Sequence, residues 1–210
     1  MKAPTDPKRK KARQFWMRQL HQWHWISAAL SLVGMLFFAI TGITLNHADL
    51  VSAQPKVESR EGRLSPALLA QLKGPDEGDA PLPAAVAQEL TRISGQTLNA
   101  ASAEWTPEEV NIDLPRPGGD GWVRVQRADG AVTSETTSRG AVSLANDLHK
   151  GRHAGGIWVW FLDIFAAACV IFTLTGLLLL QVHAKHRPST WPIVAAGLVV
   201  PVLLIHFFVP

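Results

Sequence analysis

Cysteine is nearly missing from this 210-residue chain. Cys169 is the single example, so no internal disulfide and no cysteine-based metal cluster can form. Charge is scarce as well, at 18% Asp, Glu, Lys and Arg against 47% apolar residues. There is no Gly-rich phosphate loop, no nucleophile elbow and no nicotinamide fingerprint. Histidine is absent from residues 48–148, although the chain has eight. With a net charge of +3 and a low charged fraction, the composition suits a membrane protein better than a nucleic-acid binder.

The apolar residues concentrate in three runs. The first, ISAALSLVGMLFFAITGITL at 26–45, carries no charge; at ~1.5 Å per residue it reaches roughly 30 Å, the thickness of a hydrocarbon core. The second, at 156–182, carries one charge, Asp163. The third, at 191–209, holds Pro192, tolerable in a first turn, and Pro201, expected to kink the span. Val51-Ser52-Ala53 resembles a cleavage site, but run one is too long and starts too late for a typical signal peptide.

Residues 1–18 hold seven Lys or Arg against one acid, and the linker between runs two and three adds Lys185 and Arg187 with no acid. Both segments are expected in the cytoplasm. The insert at 47–155, with eleven Lys or Arg and fifteen Asp or Glu, is then periplasmic. The expected layout is a basic N-terminus at 1–22, a first span at 23–46, the insert at 47–152, a second span at 153–183, a linker at 184–190 and a third span at 191–210. Trp16, Trp23, Trp25, Trp158, Trp160 and Trp191 flank the runs as interface anchors. Thr41-Gly42 and Thr175-Gly176 allow close helix packing. Cys169 reads as a packing residue.

Within the insert, 48–82 reads as linker with a short helix near 66–72. LPAAVAQELTRIS at 82–94 places Val86, Leu90 and Ile93 on one face, a helix ended by Gly95. Segments 110–114 and 122–126 alternate as strands. Arg127-Ala128-Asp129-Gly130 is a turn, and 131–137 returns as a partner strand. The fold class is therefore an α-helical membrane protein of three spans, with a small α+β insert too small for a deep pocket.

All eight histidines lie in or beside the apolar runs. Histidine is costly in a bilayer unless paired, hydrated or ligating, and it is the usual axial ligand of b-type haem. The chain has no C-x-x-C-H for covalent attachment. His24 and His183, and His47 with His149 or His153, form candidate pairs at the two ends of the first two runs. His149 and His153, four apart, share a face if helical, and Asp163 would fall within about 40° of it, there to orient a ligand or move a proton. Trp158 or Trp160 can pack on a porphyrin, and His206 lies towards the outer end of the third span. The plainer readings are interface residues for His21, His24 and His206, and a solvated basic loop for His183 and His186. His24 and His47 are separated by about 35 Å of helix and about 140° of rotation, which favours one haem over two.

QLHQWHWISAALSLVGMLFFAITGITLNH resembles the first span of the PepSY-associated transmembrane helix proteins, with a His-Trp-rich entry and a Thr-Gly near the exit. NDLHKGRHAGGIWVWFLDIFAAACVIFTLTGLLL is similar to a later span, opening with histidines and carrying an Asp and a second Thr-Gly. The insert resembles a reduced PepSY domain. The resemblance implies a b-haem electron carrier of the bacterial inner membrane that passes electrons outward to a ferric siderophore or other periplasmic iron complex, with His24, His47, His149 and His153 as ligands. The donor is then a quinol or a partner membrane protein, and a homo- or hetero-oligomer completes the bundle. Two alternatives stand beside it. One is a non-enzymatic, membrane-anchored interaction protein. The other is a non-haem metal site, Zn or Cu, at His149 and His153.

Overall fold

The computed structural model describes residues 7–50, 54–98 and 102–209. Lys2 of the basic segment and the Val51-Ser52-Ala53 tripeptide lie outside these residues. Helix α1 (Pro7–Asn46) runs through the basic segment and the first apolar run as one element. Helices α5 (Gly155–His183) and α6 (Thr190–Phe208) carry the other two runs. All three are long and apolar enough to cross a membrane. The α6 helix continues through Pro201 and buries none of its residues.

The chain divides into two compact units. The first, Phe38–Trp160, contains a six-stranded antiparallel sheet of order β1-β6-β5-β4-β3-β2. Its strands are β1 (Lys56–Arg63), β2 (Gly78–Pro81), β3 (Ser102–Trp105), β4 (Glu109–Asp113), β5 (Gly119–Gln126) and β6 (Ala131–Ser138). The period-2 pattern of β4 and β5 is realised as expected: Val110, Ile112, Val123 and Val125 all face the core. Register pairs Val110 with Val125, Ile112 with Val123 and Val125 with Val132. Each such side chain contributes roughly 1.5–3 kcal/mol by leaving water. The β5–β6 turn is closed by Gly130 at φ +71 and by the Asp129 carboxylate, which accepts from the Ala131 amide at 3.0 Å.

Helix α3 (Ala84–Ser94) lays Val86, Ala87 and Leu90 into the core. It stops where expected, at Gly95 in the left-handed region. Trp105 is 1% exposed and donates its indole N–H to the Ala80 carbonyl at 3.0 Å.

The segment read as linker departs most from expectation. Residues 56–63 and 78–81 are strands, and helix α2 is the short Pro66–Leu69. In β1, residues 56–62 are all exposed apart from Gly62, which is half-buried. An edge strand with little buried surface leaves no hydrophobic alternation to read. A further helix, α4 (Gly140–Lys150), leads towards α5 and ends at Gly151, φ +67. His153 falls in the connector beyond it, with φ +55. His149 and His153 therefore do not share a helical face. Asp163 is not in helical register with them either, because α4 ends at Lys150 and α5 begins at Gly155.

The second unit holds the described residues up to Phe37 and those from Phe161 onward. In it, His24, Ser27, Ser31 and Gly34 follow the 3–4 spacing of one α1 face. Ser27 and Ser31 are buried, their hydroxyls donating to the carbonyls of Trp23 and Ser27 at 2.7 Å each. Gly34 lies directly against the Phe165 ring of α5, leaving no room for a Cβ.

Candidate functional site

Only His24 and His149 are drawn away from solvent; the other six histidines are exposed. Each of the two is seated on a Thr-Gly dipeptide, in its own unit.

His24 leaves α1 to meet the α5 residues that recur at helical spacing, Phe172, Thr175 and Gly176. Its ring stacks on Phe172 with centroids 4.7 Å apart and planes at 15°. Its Nδ1 lies 3.2 Å from the Phe172 carbonyl and 3.1 Å from Thr175 Oγ1. Thr175 is itself buried and donates its hydroxyl to the Ile171 carbonyl at 2.7 Å. Gly176 presents bare backbone to the ring edge; a Cβ there would sit 3.3 Å from His24 Cε1.

Beyond this seat opens a cavity of about 600 Å³, within the size range of cofactor sites. Gly176, Leu179 and Leu180 give it an apolar side, while His24, His183, His186, Arg187 and Thr190 give it a polar, basic one. His183, in the last turn of α5, ties its Nδ1 to the Leu179 carbonyl at 2.8 Å. A short turn at Ala184–His186, closed by the Arg187 amide donating to the Ala184 carbonyl at 3.0 Å, carries His186 and Arg187 round to the same cavity. The pair His24 and His183 is thus brought to one cavity.

His149, in the last turn of α4, has Nδ1 2.6 Å from Thr41 Oγ1. Its ring lies 4.8 Å from that of Phe38, and its Cε1 would be 3.8 Å from a Cβ on Gly42. Its neighbours are engaged as well. Asn146 Oδ1 accepts from Thr44 at 2.7 Å, buried Asp147 accepts from the Gly118 amide at 2.8 Å, and the Leu148 carbonyl accepts from the Trp158 indole at 2.9 Å.

The remaining expected residues are more scattered. His47 is exposed, with Nδ1 3.0 Å from the Ile43 carbonyl of its own helix. Six residues of helix place it about 120° around the axis from Thr41. Asp163 and Trp160 are exposed on α5, and His206 is exposed on α6 with its ring 4.9 Å from Phe207. Among the described residues no group of three or more His, Cys, Asp or Glu could hold a metal ion. Reading the sequence missed Phe172, Arg187 and Thr190 as cavity or seat residues. It read both Thr-Gly pairs as helix packing and as marks of the family resemblance, without seating a histidine on either.

Three apolar helices of membrane-crossing length, with a separate antiparallel sheet between the first two, define a multi-pass membrane protein carrying an α+β module. No curated protein and no solved structure matches the chain. The model of the PepSY_TM-like family matches residues 15–210, and the chain belongs to that family of PepSY-associated transmembrane proteins.

Proposed function

We propose that this is a b-type haem protein of the bacterial inner membrane that passes electrons outward for reduction of a ferric, siderophore-type complex in the periplasm. One observation carries the cofactor assignment. Two histidines from different helices, each with Nδ1 tied to oxygen, line a single cavity with an apolar wall and an arginine.

The donor set fits the group. Neutral imidazole nitrogens suit haem iron, the leucines suit a porphyrin face, and Arg187 suits its carboxylates. His24 and His183 would hold the iron, with His186 and Arg187 at the charged edge. Haem supplies one-electron chemistry; the chain supplies ligand orientation and an apolar wall of Leu179 and Leu180. Ferrous iron is bound less tightly than ferric by hard oxygen ligands, so reduction releases it.

The outward direction rests on charge. Basic flanks hold the cavity end in the cytoplasm and leave the acidic module in the periplasm. With no nicotinamide fingerprint in the chain, a quinol or a partner membrane protein is the donor. His149, seated on Thr41, is the remaining candidate ligand at the outer end, with His153 four residues beyond it and His47 six residues beyond Thr41.

The test is the pyridine haemochrome content of detergent-purified protein. One haem per chain is expected, lost in both His24→Ala and His183→Ala. A colourless protein, with or without bound zinc, would overturn the assignment. So would an unchanged spectrum in both variants.

A further inference from the structure

Hydrogen-bond accounting at the His24 seat fixes more than a packing contact. A threonine hydroxyl has one proton to give, and Thr175 directs its own to backbone carbonyls of α5, at 2.7 Å to Ile171 and 3.0 Å to Phe172. Towards His24, Oγ1 can then only accept. The second neighbour of His24 Nδ1 is the Phe172 carbonyl, which is an acceptor always. A bare lone pair on Nδ1 would face two oxygen lone pairs in a half-buried setting, where an unmatched polar contact costs about 1–3 kcal/mol. The proton therefore belongs on Nδ1.

We propose that Thr175, together with the Phe172 carbonyl and the bare backbone of Gly176, locks His24 in its Nδ1–H form. Nε2 then becomes the nitrogen offered to the cavity for ligation. Thr175 is a positioning residue, acting through His24. The ring has little freedom to turn. Phe172 stacks on one face, and Gly176 lies 3.3 Å, measured from its ideal Cβ, from the Cε1 edge. A ring flipped by 180° would bring Cδ2 to the two oxygens in place of the N–H.

The seat on Thr41 repeats part of this arrangement. Thr41 donates its hydroxyl to the Phe38 carbonyl at 3.1 Å and sets Oγ1 2.6 Å from His149 Nδ1. The two seats share a dipeptide, and the His24 seat adds the Phe172 carbonyl as a second oxygen at Nδ1. The use of the lock rests on the haem reading above; its existence does not.

Two measurements separate these. The first uses protein free of haem, labelled with ¹⁵N-histidine in detergent. His24 should show the shifts of an Nδ1–H, bare Nε2 ring. Thr175→Val, which is isosteric but cannot accept, should mix the tautomers, and Thr175→Ser should restore the original pattern. Gly176→Ala, which presses on the ring without touching the hydroxyl, should also disturb it. The second adds hemin to the same proteins. Loss of an orienting partner typically lowers affinity by about 10- to 100-fold, so Thr175→Val should weaken hemin binding on that scale and Thr175→Ser should not.

An Nε2–H ring at His24 in the unaltered protein would overturn the lock, as would a Thr175→Val spectrum identical to it. If hemin fails to bind while the tautomer behaves as described, the lock stands and the haem reading falls.

Discussion

Removing the carboxylate of Asp147 should loosen the joint between the sheet and the helices of its own unit. Asp147 lies on α4, is 9% exposed, and accepts from the Gly118 amide at 2.8 Å. Gly118 is the left-handed residue, φ +71, at the start of the β5 approach. Its amide has no sheet partner to fall back on, because the backbone bonds around it run from Gly119 to Arg116 and from Arg139 to Gly118. A hydrogen bond to a charged group is worth about 1.5–3 kcal/mol, and a buried donor left alone costs a similar amount. At 1.4 kcal/mol per tenfold, Asp147→Ala should lower the hydrogen-exchange protection of the Gly118 amide by about 10- to 100-fold. Asp147→Asn keeps a neutral acceptor in place and should lose about tenfold or less. Exchange followed by mass spectrometry on a peptide covering 114–121 reads this directly. Unchanged protection in Asp147→Ala would refute the reasoning, and loss spread evenly over the whole sheet would show a core effect in its place.

Two other outcomes follow from the same unit. Trp105→Ala should destabilise the sheet by about 3–5 kcal/mol and Gly74→Ala by about 1–3 kcal/mol, since a Cβ on Gly74 would stand 2.5 Å from the indole ring; thermal unfolding followed by near-ultraviolet dichroism checks both, and a neutral Gly74→Ala would contradict the packing. The hydrogen bond and charge of Arg92 hold the Glu89 carboxyl below its ordinary range. A folded value below the unfolded one means the pair supports α3 at neutral pH and is lost as pH falls through the folded value. Carboxyl ¹³C titration should show the Glu89 midpoint rising in Arg92→Gln, and an unmoved midpoint would remove the pair from the account.

How much was legible in the sequence depended on burial. The strands at 110–114 and 122–126 alternate because one face is buried, and they fold as read. So does α3, whose apolar spacing and terminal glycine both follow from its position on the sheet. The strand β1 gave no signal because its side chains KVESREGR are nearly all polar; its pairing with β6 rests on backbone bonds, which leave no mark in side-chain pattern. Histidine placement paired His24 with His183, and both line one cavity; spacing along the chain misjudged His149 and His153. His149 and His153 looked like neighbours on a helix until Gly151 ended it. Pairing by helix end anticipated His24 with His183, 159 positions apart, but not the Phe172 and Thr175 seat of the His24 ring, which depends on α1 and α5 meeting within their unit, as Gly34 does with Phe165.

The rims of the sheet carry a consequence of their own. One rim is β1, where Lys56, Glu58, Arg60, Glu61 and Arg63 crowd eight positions; the other is β2, four residues long and closed by Pro81. A second sheet approaching either side would have to bury unlike and like charges together or meet a residue with no amide proton. Edge-to-edge pairing between two copies of the module is therefore disfavoured at both rims.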